Sequence, residues 1–67
     1  MRMIPIVSRN EGLLYLNPMY VYSVRKDRVQ GCTIITLSSG EMVTSSKPLE
    51  EVVKLIEKEL SNPQGAD

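Results

Sequence analysis

The stretch from Cys32 to Thr44, CTIITLSSGEMVT, constrains this chain more than any other. Cys32-Thr33-Ile34-Ile35-Thr36-Leu37 is dense in β-branched side chains, which crowd a helix and suit an extended backbone. Side chains alternate along a strand, so Ile34 points to one face and Ile35 and Leu37 to the other. A strand apolar on both faces is usually covered on both, here by a helix on one side and by a partner or more sheet on the other. Ser38-Ser39-Gly40 follows, and glycine accepts positive φ without steric cost, so a tight turn is expected. Glu41-Met42-Val43-Thr44 then returns as the antiparallel partner.

Sixty-seven residues make one domain, expected over residues 1–60 with a disordered polar tail at 61–67. A core of this size rarely supplies more than about 3–5 kcal/mol. Cys32 is the only cysteine and histidine is absent, so neither a disulfide nor a zinc ligand set can add to it. Self-association into a homo-oligomer is therefore a candidate source of further stability. Cys32 itself reads as a small buried hydrophobe and suits a reducing cytosol. The Met1 to Val7 stretch is too short and polar for a signal peptide, and no run reaches the length of a membrane span. These features together predict a soluble, cytoplasmic protein with no membrane partner.

Net charge is zero but unevenly spread. Up to Pro48, Arg2, Arg9, Arg25, Lys26, Arg28 and Lys47 stand against Glu11, Asp27 and Glu41, a net +3. From Leu49 onward, Lys54 and Lys58 stand against Glu50, Glu51, Glu57, Glu59 and Asp67, a net −3. Such asymmetry can guide pairing with a second copy or a partner protein, and it falls short of the basic stripe that nucleic-acid binding needs.

In chain order, Arg2–Ser8 reads as a first strand in which Pro5, lacking an N–H, argues for an edge or a bulge. Arg9-Asn10-Glu11-Gly12 is a turn and Leu13–Leu16 a second, antiparallel strand. Asn17-Pro18 breaks the run. Met19–Val24 reads as a third strand, with Tyr20, Tyr22 and Val24 on one face and Met19, Val21 and Ser23 on the other. Residues 25–31 form a charged loop. Ser46 is the expected N-cap of a helix with Pro48 in its first turn and Glu50 and Glu51 favoured by its dipole. Leu49, Val52, Val53, Ile56 and Leu60 give that helix one apolar stripe, with Leu55 away from its centre. The fold class expected is α+β: a small antiparallel sheet of four to five strands with one C-terminal helix packed on one face.

Catalytic chemistry finds no purchase here. Without histidine there is no residue whose ordinary charge change falls near neutral pH, and no serine can be activated by an imidazole. Gly12, Gly31 and Gly40 are isolated turn glycines rather than a phosphate loop. The expectation is a protein that is not an enzyme and carries no cofactor or metal.

The order of features resembles a known family. Tyr15-Leu16-Asn17-Pro18, Val21 and Val24, Thr33-Ile34-Ile35-Thr36-Leu37 with its Ser-Ser-Gly turn, then Pro48-Leu49-Glu50-Glu51-Val52-Val53 resemble the short bacterial FlbD family, encoded among flagellar genes. The match covers residues 3–60, and Leu16-Asn17-Pro18 is its most specific part. The first turn departs from the family's Asn-Gly, and the loop at 25–31 is longer and more basic. A weaker likeness is to the DNA-binding LytTR domain. The resemblance implies a small adaptor that binds another protein, in a flagellar setting or as a phage-type modulator of a host protein. The residues expected to form its contact surface are Tyr20, Tyr22, Arg25, Lys26 and Arg28. The alternative is a nucleic-acid-binding transcriptional regulator, in which the basic residues meet phosphates and the tyrosines stack on bases.

Overall fold

The computed structural model describes residues 2–28 and 31–61. Five strands and one helix follow one another: β1 (Ile4–Ser8), β2 (Gly12–Leu16), a 3-10 turn (Pro18–Tyr20), β3 (Val21–Lys26), β4 (Thr33–Leu37), β5 (Met42–Ser45) and α1 (Leu49–Ser61). All strand pairs are antiparallel, and the order across the sheet is β2-β1-β5-β4-β3. The chain is thus an α+β fold with a single helix at its C-terminal end.

The β4–β5 hairpin lies at mid-sheet, as its residues require. Ile35 is completely buried and Val43, its cross-strand partner, nearly so. Ile34 faces the other way and is half-buried beside Arg25 and Thr44. Gly40 takes φ 96°, and its N–H donates to the Leu37 carbonyl at 2.9 Å, which closes the turn. The core gathers Ile4 and Ile6 of β1, Leu16 of β2, Ile35, Val43, and Val52 and Ile56 of α1. Helix α1 packs on β1, β3 and the 3-10 turn, so all of this core lies on one face of the sheet. Nothing in the described chain covers the other face.

Strand β1 meets β5 at one register position, Ser8 opposite Ser45. Flanking bonds run from the Arg9 N–H to the Thr44 carbonyl (2.9 Å) and from the Ser46 N–H to the Val7 carbonyl (3.4 Å). Continuing that register carries Pro5 beside Pro48, past the end of β5. Pro5 therefore sits in an inner strand, at a place where no neighbour would accept its missing N–H. The edge expected from its sequence exists only locally.

Several expectations for β3 and α1 are corrected. Met19 and Tyr20 belong to the 3-10 turn, whose entry is held by Asn17 Oδ1 accepting from the Met19 N–H at 2.9 Å. Strand β3 runs on to Lys26, so Arg25 and Lys26 lie in the strand rather than in a loop. A bulge between Val21 and Ser23 re-phases it. Val21 and Val24, three residues apart, both pack on the core, while Tyr22 stands out at 77% exposure. A bulge puts two residues opposite one, which breaks the period-2 pattern that had placed Val21 and Val24 on opposite faces. Ser46 is not the helix cap: its N–H pairs with β1, and the Val52 N–H reaches the Pro48 carbonyl at 3.2 Å. In α1, Leu55 packs against the core and Leu60 is 48% exposed, so the stripe is centred on Val52 and Ile56. The helix extends through Ser61, and the remainder of the expected tail lies outside the described residues.

Replacing Ile35 with Ala should cost about 3 kcal/mol or more, since it empties a fully buried site. That loss is comparable with the whole stability expected of so small a core. Urea titration followed by circular dichroism should show Ile35→Ala largely unfolded at room temperature. The Arg25→Ala/Arg28→Ala double variant, which changes exposed residues, should keep its transition.

Candidate functional site

The five residues expected as a contact surface occupy one border of the molecule. Strand β3 is an edge of the sheet. Tyr22, Arg25 and Lys26 are exposed along it, Arg28 is exposed just beyond it, and Tyr20 is exposed in the turn that feeds it. Tyr20 lines a hollow of about 300 Å³ with Leu37, Ser38 and Ser39. The hollow is set by the backbone, since the Ser38 N–H donates to the Tyr20 carbonyl at 2.7 Å. Arg25 stands on the outer sheet face opposite Ile34, and Lys26 opposite Thr33. Tyr20 and Tyr22 do not share a face with Val24, because the 3-10 turn and the bulge separate them.

The opposite border carries a second surface, not singled out from the sequence. In the β1–β2 hairpin, Pro5 pairs with Tyr15 and Val7 with Leu13. Met3, Val7, Leu13 and Tyr15 are all exposed, and no charged side chain lies among them. Single exposed hydrophobes are ordinary, but a contiguous apolar patch marks a contact surface. Its sequence signal was the lack of any charge from Gly12 to Leu16.

The two edges differ in how they are guarded. Natural edge strands are blunted by charge, proline or a bulge. Strand β3 has a bulge, Arg25 and Lys26. Strand β2, Gly-Leu-Leu-Tyr-Leu, has an unbroken register with β1 and none of these devices. The direction of its free backbone groups follows from the bonds of β1. Val7 and Arg9 turn their backbone groups toward β5, so Ile4, Ile6 and Ser8 turn theirs toward β2. Their partners Leu16, Leu14 and Gly12 point back, which leaves the N–H and C=O of Leu13 and Tyr15 facing outward.

The remaining polar features are structural. Thr33, fully buried, donates from Oγ1 to the Lys47 carbonyl at 2.7 Å and anchors the segment leading into α1. Ser8 Oγ accepts from the Asn10 and Glu11 N–H groups, each at 3.2 Å, and shapes the first turn. Cys32 is buried, and Arg9 Nη1 donates to its Sγ at 3.2 Å. A shallow groove of about 230 Å³ on α1 is lined by Lys47, Glu51, Lys54, Leu55 and Lys58, with Lys47 and Glu51 paired at 3.6 Å. That pair is solvent-exposed and contributes little. Among the described residues no three acidic or cysteine side chains stand together as metal ligands, and no helix is long and apolar enough to cross a membrane.

Comparison with protein-family models, with curated proteins and with solved structures found no match for this chain. What the fold and its surfaces define is a class: a small α+β domain with a guarded basic edge, an unguarded apolar edge and an uncovered sheet face.

Burial of Cys32 makes its thiol a reporter of opening. Labelling by iodoacetamide should be slowed roughly a hundredfold or more in native buffer relative to denaturant, because the reagent must wait for the core to open. Equal rates in the two conditions would show that the β4 entrance is loose.

Proposed function

We propose that this protein is a small, non-enzymatic protein–protein interaction module of the cytoplasm, with the FlbD-like adaptor as its nearest functional analogy. The observation that carries the reading is the exposed, uncharged face of the β1–β2 hairpin, formed by Met3, Val7, Leu13 and Tyr15. Apolar side chains at this density bind by being removed from water, at roughly 25 cal/mol per Å² buried. The basic β3 edge adds steering toward an acidic partner surface through Arg25, Lys26 and Arg28. The protein bound would be a component of a flagellar assembly or a host target of a phage-type modulator.

A second reading has one observation in its favour: Tyr22, Arg25 and Lys26 are exposed along the β3 edge and Arg28 just beyond it. Three cations and an aromatic can hold a short single strand of nucleic acid. The zero net charge and the acidic helix weigh against it.

The two readings separate by salt. Binding through the apolar hairpin should survive a rise from 50 to 200 mM salt. Contacts from three cations to the phosphates of a single strand should lose affinity with a log–log slope of about −2. A tagged chain incubated with bacterial lysate should retain a discrete protein through nuclease and high-salt washing, and the Leu13→Lys/Tyr15→Lys variant should lose it. Recovery of nucleic acid that disappears with salt, unaffected by that variant, would overturn the proposal in favour of the second reading.

A further inference from the structure

We infer that the β2 edge takes the β2 edge of a second copy of this chain, making a two-fold dimer with one continuous sheet. The inference rests on the interaction-module reading and names the partner of its apolar edge.

Strand β2 is complementary to itself. Its outward backbone groups belong to Leu13 and Tyr15. An antiparallel pairing centred on Leu14 sets Leu13 opposite the partner's Tyr15, and the partner's Leu13 opposite Tyr15. Each of these is then a hydrogen-bonded pair exchanging two N–H···O=C bonds, so all four outward groups on each strand edge pair between the copies. No other register centred within the strand satisfies both residues. Shifting the centre to Leu13 or Tyr15 would set Tyr15 opposite the partner's Glu11 or Leu13 opposite the partner's Asn17, both outside the strand, and a centre between two residues would aim groups already spent on β1 at the new neighbour.

Side chains agree with the backbone. The pairing sets the exposed Leu13 (57%) beside the partner's exposed Tyr15 (60%) on the outer face, an aromatic–aliphatic cross-strand pair. Half-buried Leu14 meets the partner's Leu14 on the core side, extending the core across the axis. The strand holds no charge, so two copies bring no like charges together. The β3 edge is poorly suited to the same pairing, because each copy would bring Arg25 and Lys26 into the seam and the bulge breaks the register. A β2-to-β3 pairing would be heterologous and leave edges free for open-ended growth. The guarded β3 edge opposes that, and the two-fold closes.

Area sets the strength. Edge pairing of two five-residue strands with these side chains removes roughly 600–900 Å² in total, below the roughly 1,200 Å² at which stable complexes begin and in the range of weak, transient ones. The dimer should therefore form and dissociate with concentration.

Two experiments test it, both in a Cys32→Ala background. Sedimentation of the full chain from micromolar to near-millimolar concentration should show a reversible monomer–dimer equilibrium. Leu13→Lys/Tyr15→Lys should weaken it at least tenfold, since each lysine then opposes a lysine. Mixing that variant with Leu13→Glu/Tyr15→Glu should restore dimers as a one-to-one heterodimer. Register is read by cross-linking. Leu14→Cys places two thiols directly opposite at the axis and should give a disulfide dimer in a glutathione buffer, whereas Leu13→Cys, offset along the strands, should not. A chain monomeric throughout the range overturns the inference, as does a dimer that resists the lysine pair or cross-links equally at both positions. A monomer that still loses its lysate protein on the lysine substitutions would overturn self-pairing alone and leave the interaction-module reading standing.

Discussion

The structure depends on one short connection. Strands β2 and β3 are opposite edges of a five-stranded sheet, yet only Asn17 to Tyr20 lie between them in the chain. In a flat sheet their edges would be about 19 Å apart across four strand spacings. The staggered register of β1 on β5 adds roughly 26 Å along the strands. Four residues and their bonds reach at most about 17 Å even when fully extended. The sheet must therefore curl, with the 3-10 turn crossing from edge to edge. Pro18 is buried in that crossing, Asn17 holds its start, and α1 packs against it from the concave side.

That curl assigns the two sheet faces their roles. Concavity gathers Ile4, Ile6, Leu16, Ile35 and Val43 around Val52 and Ile56, so one helix suffices to close the core. The convex face is left with Val7, Leu13, Tyr15 and Met42 exposed. The same stagger carries β1 past the end of β5 and lets Pro5 occupy an inner strand without leaving an acceptor unpaired. The hairpin it belongs to projects as a two-stranded ribbon whose outer strand is unguarded. Fold and proposed function thus share one cause: the crossing that closes the core also exposes the edge proposed to bind.

Much of the architecture was legible in the residues. β-Branched density marked β4, a Ser-Ser-Gly run marked the turn into β5, and apolar spacing marked α1. Where the reading failed, a local departure from periodicity was responsible. The bulge at Tyr22 shifted β3 by one residue, which put Val21 and Val24 together on the core and left Tyr22 exposed. The Asn-Pro signal foretold a jog but not that a 3-10 turn would absorb Met19 and Tyr20. Ser46 had the chemistry of a cap, but its backbone pairs with Val7 of β1, a contact no local pattern encodes, and the helix begins only after Pro48, two residues further on. The unguarded β2 edge was invisible for a related reason. Sheet order decides which strand is an edge, and sheet order here turns on a single register position between Ser8 and Ser45.

Amide hydrogen exchange at Leu13 and Tyr15 tests the central claim most directly. Their N–H groups face the free edge, whereas those of Leu14 and Leu16 are bonded to β1. The account predicts that Leu13 and Tyr15 exchange freely in dilute solution and gain protection as concentration rises, while Leu14 and Leu16 stay protected throughout. Protection of Leu13 and Tyr15 that does not change with concentration, whether high or absent, would contradict it.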